Sequence, residues 1–209
     1  MFITFEGLDL SGKSTQAQRL LDRLQRAQYP AVLIREPGGT AIGEKVRTVL
    51  LDRTHDGMDP RTEFLLFSAS RAQLVCEVIR PALAGGTVVI SDRFFDSSSA
   101  YQGGGRGLPL EEIEVINRHA TAGLKPDVTF LLDVPIPVLE ARRRLSRPGV
   151  DRMEANDRTF YERVRKAYLD LAAREQRIVV LDGTASVEEL EQHIWTMVAP
   201  ALPELQKRV

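Results

Sequence analysis

The feature that most constrains the fold is an apolar run that leads directly into a glycine-rich, anion-binding pattern. The run Phe2 to Phe5 precedes Gly-x-x-x-x-Gly-Lys-Ser, and leucines at helical spacing follow it. The two glycines let the backbone turn tightly with its N–H groups directed at an anion, and the helix adds the positive end of its dipole. The sequence therefore predicts a strand, a phosphate-binding loop and a helix in succession. The loop comprises Gly7, Leu8, Asp9, Leu10, Ser11, Gly12, Lys13, Ser14 and Thr15.

Three side chains of this loop have predicted roles. Lys13 is expected to reach the β- and γ-phosphates of a nucleotide, and the Ser14 hydroxyl to hold Mg²⁺. Asp9 is unusual in a loop that binds anions, because its charge repels phosphate. It either points toward a hydroxyl or the metal, or braces the turn through backbone N–H groups.

Five short apolar runs, separated by helix-like sequence, predict the sheet. Strand–helix alternation implies right-handed parallel crossovers, and runs without in/out alternation are typical of strands covered on both faces. The prediction is a three-layer α/β fold with a five-stranded parallel sheet flanked by helices. A length of 209 residues favours one domain. The strands are predicted at Phe2 to Phe5, Ala31 to Ile34, Val88 to Ile90, Val128 to Leu132 and Ile178 to Leu181.

Charge and cysteine content limit the classes of partner that the protein is expected to bind and indicate its cellular compartment. The 28 basic and 29 acidic residues nearly cancel, so we expect neither a nucleic-acid partner nor a membrane partner. No run approaches the roughly 20 apolar residues that cross a bilayer, and the first residues do not resemble a secretory leader. The single cysteine, Cys76, is predicted to be a small buried hydrophobe on a helix from Glu63 to Leu83. Together these features predict a cytoplasmic protein.

An acid and a guanidinium follow the third predicted strand, at Asp92 and Arg93. Open parallel sheets bind ligands at the carboxyl ends of their strands. The carboxylate can therefore hold the water shell of Mg²⁺, and the arginine can bind a second phosphate bidentately. The alternative is a surface ion pair.

Two irregular segments are predicted to be mobile loops. One is the glycine-rich stretch 103–107, and the other is the arginine-rich stretch Arg142 to Arg152, part of a mobile lid at approximately 142–153. Arginines on a lid that closes over the nucleotide can stabilise the charge that develops during phosphoryl transfer. Simple solvation of several of these arginines is the alternative.

Two further clusters suggest a pocket for a second nucleotide. Glu36 and Pro37 begin a rigid turn after the second strand, close to a bound ligand. Phe67 and Arg71, spaced i and i+4, can place a ring and a guanidinium against one flat base. A core phenylalanine beside an arginine with a solvated head is the alternative.

These motifs together resemble the thymidylate kinase family over nearly the whole chain. They are Phe-Glu-Gly-x-Asp-x-x-Gly-Lys-Ser-Thr at 5–15, Arg-Glu-Pro-Gly-Gly-Thr at 35–40, Asp-Arg-Phe at 92–94 and Ser-x-Ala-Tyr-Gln-Gly at 98–103. The resemblance implies a P-loop kinase fold and transfer of the γ-phosphoryl of ATP to dTMP by a Mg²⁺-dependent homodimer.

The resemblance also implies a role for individual residues. Asp9 would contact the nucleotide sugar, Arg93 would bind the acceptor phosphate, and Glu36 and Arg47 would line the acceptor pocket. The base would be recognised by Phe67 through stacking, by Arg71 at O4, and by Ser98 and Gln102 through polar contacts. Tyr101 would crowd the 2′ position of the sugar and so disfavour ribonucleotides.

The family uses a transition-state arginine either in the phosphate loop or in the lid. This chain resembles the bacterial type with lid arginines, which would be Arg143, Arg147 and Arg152, with Arg147 foremost. Leu10 departs from the small residue common at its position, and it would be strained there if the backbone needs a positive φ.

Two other functions remain open on the residues alone. A kinase acting on a different nucleotide or nucleoside would share the phosphate loop and Asp92-Arg93. A nucleotide-dependent switch would lack a phosphoryl acceptor, and the missing Asn-Lys-x-Asp guanine motif argues against it.

Overall fold

The computed structural model describes residues 1–145, 152–153 and 156–202. Its centre is one parallel sheet in the order β2-β3-β1-β4-β5. The predicted strands are confirmed, each ending one residue later than predicted except the third, which ends two residues later. The strands are β1 Phe2–Glu6, β2 Ala31–Arg35, β3 Val88–Asp92, β4 Val128–Asp133 and β5 Ile178–Asp182.

Helices cover both faces of the sheet, so the predicted three-layer arrangement is confirmed. The α-helices in the described part of the chain are α1 Lys13–Arg26, α2 Ala41–Leu51, α3 Pro60–Leu74, α4 Arg80–Ala84, α5 Phe95–Ser98, α6 Leu110–Ala120, α7 Ile136–Leu145, α8 Arg158–Ala172 and α9 Val187–Val198. Short 3₁₀ turns lie at Arg53–His55 and Ala199–Ala201. None of the described helices combines the length and apolar character that a membrane crossing needs.

The alternating side chains of β1 divide the core between the two faces. Ile3 and Phe5 pack with residues of α1 and α9 on one face, including Leu20 and Ile194. Phe2 points to the opposite face, in a cluster with Leu74 and Phe94. The core thus fixes the sheet, whose carboxyl edge brings Glu6 near Asp92 because Phe5 lies opposite Asp92 in the register.

The prediction of a loop at 103–107 is wrong for residues 103–105, which are helical, whereas residues 106 and 107 form the turn that follows. Residues Ser99–Gly105 form a π-helical segment that packs closely on α8. A Cβ built on Gly105 would lie 2.5 Å from Phe160 Cε2, so the glycine permits the close approach of the two elements. The glycines therefore serve tight packing here instead of chain mobility.

The prediction for Cys76 is also wrong, because its side chain is exposed. It lies in a second π-helical segment, Val75–Ile79, between α3 and α4. Val75 and Ile79 are buried, at 2% and 0% exposure. The π geometry changes which residues face inward, and a strict 3.6-residue period cannot anticipate this change.

Candidate active site

The phosphate loop connects β1 to α1 through residues with positive φ. Gly7 and Gly12 have φ of +139° and +97°. A Cβ on Gly7 would come within 2.6 Å of the Leu132 carbonyl oxygen, so only glycine fits this turn. Lys13 follows as the first residue of α1 and is only 7% exposed. The predicted strand, loop and helix are therefore present.

Leu10 has a φ of +66°, the left-handed conformation in which a leucine is strained. Such a conformation costs a non-glycine residue on the order of 1–2 kcal/mol. The Arg142 Nη1 donates to the Leu10 carbonyl oxygen at 2.9 Å, and this bond supports the strained turn from α7.

Asp92 and Arg93 lie beside this loop at the end of β3, as the sequence predicts for the edge of the sheet. The Ser14 hydroxyl donates to Asp92 Oδ2. Arg93 has a φ of +74°, a sparsely populated conformation for arginine. Strained backbone of this kind persists where the surrounding structure holds it, and it concentrates at functional sites.

The guanidinium of Arg93 connects the end of β3 to the phosphate loop. Its Nη2 is 2.7 Å from Asp9 Oδ1 and 3.2 Å from the Tyr101 hydroxyl, and its Nη1 donates to Ser97 at 3.0 Å. Lys13 Nζ lies 3.6 Å from the same Asp9 oxygen. Two cations from different elements thus converge on one carboxylate.

This convergence determines the charge of Asp9. Burial alone would raise its pKa, but Arg93 and Lys13 lower it well below its usual range. Burial, followed by repulsion from Arg93, lowers the pKa of Lys13. Asp9 is therefore an ionised carboxylate that is too weak a base to hold a proton near neutral pH.

A second buried acid, Glu6, supports the turn that carries Arg93. Its carboxylate accepts from the Phe94 backbone N–H at 2.7 Å, from the Ser97 hydroxyl at 2.6 Å and from the Tyr168 hydroxyl at 2.7 Å. Burial, and then the charge of Asp96, raises its pKa to about 7. The sequence analysis assigned no role to Glu6. Its position, an acid at the end of an apolar strand and next to the phosphate loop, could have indicated a buried, functional carboxyl group.

Stability should depend on pH through Glu6. The pKa rises from 4.5 to about 7 on folding, so this group stabilises the fold fully below pH 4.5, and that contribution is lost as the pH rises to about 7. Glu6→Gln keeps a neutral hydrogen-bonding group, so we expect it to gain on the order of 3 kcal/mol relative to wild type between pH 4.5 and pH 8. Urea unfolding of both proteins at the two pH values measures this, and a difference independent of pH would contradict it.

An open cleft of about 300 Å³ extends from the phosphate loop toward α2 and α3. Most of the predicted acceptor-site residues line it together: Asp9, Glu36, Pro37, Arg47, Phe67, Arg93, Ser98, Tyr101 and Gln102. The Arg47 Nη1 donates to the Pro37 carbonyl oxygen at 2.9 Å, which joins α2 to the turn after β2.

Arg71 lies beneath the cleft and is only 1% exposed. Its Nε donates to Glu36 at 2.8 Å, its Nη1 to Asn117 at 3.0 Å and its Nη2 to Ser98 at 3.1 Å. Burial raises the pKa of Glu36, and the charge of Arg71 opposes that shift. The arginine thus holds together two residues that line the cleft.

The predicted lid arginines occupy different surroundings. Arg143 lies on α7 near the Tyr161 hydroxyl, at 3.4 Å, and in a small second cavity beside Leu8 and Leu10. Arg152 is only 5% exposed and donates to Glu63 at 2.7 Å and to the Leu50 carbonyl at 2.7 Å. Arg147 lies outside the described residues. The structure therefore brings Arg143 near the phosphate loop, whereas Arg152 is held in a buried ion pair.

Comparisons of the sequence and of the structure with known proteins all identify the same family. The pattern that defines the family described as Thymidylate kinase matches residues 5–194. The chain is 50% identical over 200 residues to a thymidylate kinase of Deinococcus radiodurans, covering 95% of this chain and 96% of that protein. It is 44% identical to a thymidylate kinase of Roseiflexus castenholzii, covering 99% and 97%. A crystal structure of thymidylate kinase from Ehrlichia chaffeensis superimposes with a TM-score of 0.77 at 35% identity, covering 95% and 97%.

Proposed function

The chain belongs to the thymidylate kinase family, and from this membership we propose that it transfers the γ-phosphoryl group of ATP to the 5′-phosphate of dTMP, forming dTDP and ADP. The observation that carries this proposal is the convergence of Lys13 and Arg93 on Asp9 Oδ1, at 3.6 Å and 2.7 Å. Both cations line the cleft that opens toward Phe67, one from the phosphate loop and the other from the end of β3, so in this proposal the donor and acceptor phosphates meet beside them.

Positioning and charge supply the catalysis in this proposal. The acceptor is a phosphate oxygen that is already ionised near neutral pH, so the reaction needs no residue to remove a proton. Lys13 binds the donor phosphates, Arg93 holds the acceptor phosphate, and Asp9 contacts the sugar and fixes both cations. Holding the two reactants in line can supply about 7–11 kcal/mol of the barrier.

The chain also offers a suitable place for Mg²⁺. Asp92 Oδ1 is buried and accepts no hydrogen bond from any described residue, while Asp92 Oδ2 contacts the Ser14 hydroxyl. Oxygen ligands from one or two side chains, completed by phosphates and water, match the preference of Mg²⁺. Ser14 and Asp92 would therefore hold the ion, which neutralises phosphate charge when it is bound.

The remaining roles in this proposal are those that the family resemblance implies, and Phe67, Ser98, Tyr101 and Gln102 support them by lining the cleft. Phe67 stacks on the base, Ser98 and Gln102 make polar contacts to it, and Tyr101 crowds the 2′ position. Arg71 acts at O4 or by holding Ser98 and Glu36 in place. Arg143 and Arg147 supply lid cations, and Arg152 anchors the lid at 142–153 to the single domain formed by residues 1–209.

We also propose a homodimer in which α2, α3 and α6 form the contact. Four large apolar side chains are exposed on these helices, namely Ile42 and Leu65 at 55%, Val49 at 41% and Val115 at 55%. Apolar side chains gathered on neighbouring helices typify an interaction surface. We expect Leu65→Glu to shift the protein to monomers in sedimentation velocity, whereas Met197→Glu on α9 should leave the dimer intact. Equal behaviour of the two variants would contradict this contact.

The cytoplasm is the proposed compartment. The one cysteine is exposed and unpaired, as expected in a reducing environment.

An ADP-release assay with ATP and Mg²⁺ tests the activity. It compares dTMP, dUMP, dCMP, dGMP and thymidine with a reaction lacking acceptor. We expect strong preference for dTMP. Turnover without acceptor, or preference for thymidine, would instead indicate an NTPase or a nucleoside kinase.

A further inference from the structure

A buried carboxylate outside the cleft contacts the amide of Gln102, a residue that lines the cleft. Glu63 lies on α3 and is 1% exposed. Its Oε1 accepts from Gln102 Nε2 at 2.9 Å and from Arg106 Nε at 3.2 Å. Its Oε2 accepts from Arg106 Nη2 at 3.1 Å and from Arg152 Nη1 at 2.7 Å. The Glu63 side chain is thus held by three residues that are distant in sequence, namely Gln102, Arg106 and Arg152.

These donors keep Glu63 ionised. Burial opposes ionisation, but hydrogen bonds from Arg106 and Gln102, together with the charges around the carboxylate, lower its pKa. An ionised carboxylate can only accept hydrogen bonds. The Gln102 atom that faces Glu63 must therefore be the nitrogen, whichever way the amide could otherwise turn.

This orientation of the amide leaves its oxygen available to accept a hydrogen bond from a ligand. Gln102 lines the cleft, and among the described residues no donor reaches its Oε1. We propose that Glu63 is a positioning residue that fixes the Gln102 amide with its oxygen toward the base, and so selects pyrimidines that carry a hydrogen on N3. The proposal rests on the function proposed above, because it assumes that the base binds beside Gln102.

The chemistry of the bases explains the selection. Thymine and uracil have an N3–H donor, which an amide oxygen can accept. Cytosine has a lone pair at N3, so it would place one acceptor against another and leave both unpaired in a closed pocket. A site built around a hydrogen bond rejects strongly an analogue that cannot make it, because the buried groups are then unsatisfied.

Glu63→Gln removes this constraint. A glutamine at 63 can keep its oxygen toward Arg152 Nη1 and Arg106 Nη2 and turn its NH₂ toward Gln102, at the loss of the 3.2 Å contact from Arg106 Nε. Gln102 would then present Nε2 to the base. We expect the ratio of kcat/KM for dTMP to that for 5-methyl-dCMP to fall by about 10-fold or more. The 5-methyl-dCMP comparison is matched in size and methyl group, so it isolates the N3 and exocyclic positions.

Two further variants separate selection from a loss of stability. Arg106→Met removes a cation from Glu63 but leaves Gln102 facing an ionised carboxylate, so the ratio should stay near the wild-type value. Glu63→Gln/Arg152→Met removes the carboxylate together with one buried cation, and it should lower the ratio even if the single Glu63 variant fails to fold.

The outcomes are distinct. If wild type prefers dTMP and the Glu63 variants lower kcat/KM equally for dTMP and 5-methyl-dCMP, the positioning role is overturned while the proposed function stands. A wild-type protein that does not prefer dTMP to 5-methyl-dCMP overturns the acceptor specificity itself. A lower ratio in the Glu63 variants, with an unchanged ratio in Arg106→Met, supports the role of Glu63.

Discussion

Replacing Lys13 with methionine should lower kcat/KM for dTMP phosphorylation by about 10³-fold, because the variant loses the cation that stabilises transferring phosphate charge in a buried site. The side chain is 7% exposed, and its Nζ lies 3.4 Å from the Leu8 carbonyl oxygen and 3.6 Å from Asp9. Methionine preserves the length of the stem, so the change removes charge and donors with little change in packing. Steady-state kinetics with ATP and dTMP measure the effect.

A matched control is Lys166→Met on α8. This lysine pairs with Asp170 at the surface, and such pairs contribute little to stability. The control should retain wild-type kinetics. If Lys13→Met stays folded and within 10-fold of wild type, the assigned role of Lys13 is wrong.

Arg93→Met should lower kcat/KM for dTMP by about 10²-fold or more, mainly through a higher KM for dTMP. Charge-assisted hydrogen bonds contribute about 1.5–3 kcal/mol each, and a guanidinium can make two of them to one phosphate. Its present partners, Asp9 at 2.7 Å and Ser97 at 3.0 Å, show that both Nη atoms are placed to donate. Initial rates are measured over a range of dTMP concentrations at saturating ATP, and over a range of ATP concentrations at saturating dTMP. The two series give the KM for each substrate separately.

Arg26→Met is the control for this change, because Arg26 is exposed at the end of α1, donates from Nε to the Asp22 carbonyl oxygen at 3.2 Å, and lines neither of the two cavities described above. It should leave both KM values unchanged. An Arg93 variant whose KM rises for ATP and not for dTMP would place Arg93 on the donor side and contradict the assignment.

The sheet could be predicted from the sequence because its strands are short apolar runs bounded by turn residues. Phe2–Glu6 and Val88–Asp92 are buried along nearly their whole length, and burial on both faces produces a continuous apolar run. The phosphate loop was predictable for a different reason. Its glycines are needed by backbone geometry, so the pattern itself encodes the turn.

The failed predictions share a physical cause. The glycines at 103–105 and the exposure of Cys76 depend on π-helical segments, of which the first packs on α8 and the second places Val75 and Ile79 in the core beside the sheet. Composition suggests mobility for the first segment, and an ideal helical period suggests burial for the second. Tertiary packing decides both, and a single sequence does not reveal which element each segment will pack against.

The candidate site was predicted best where a motif carries the chemistry. Asp9, Lys13 and Arg93 belong to such motifs, and the structure brings them together. Glu63 belongs to none of them, because its importance comes from side chains distant in sequence, at 102, 106 and 152. Only the folded chain brings these groups to one buried carboxylate.

The contact of Asp9 with both cations means that the cleft carries its own counter-ion. Lys13 and Arg93 already share a carboxylate oxygen, at 3.6 Å and 2.7 Å, so an arriving phosphate must exchange with an internal anion. The net free energy of binding is then the difference between the ion pairs formed with the phosphate and those lost with Asp9. At equal distances a dianionic phosphate attracts the two cations about twice as strongly as a single carboxylate does, whereas an uncharged ligand offers no such attraction. Asp9 thus lowers the benefit that any anion draws from these cations, and the remaining benefit is largest for the most highly charged ligand.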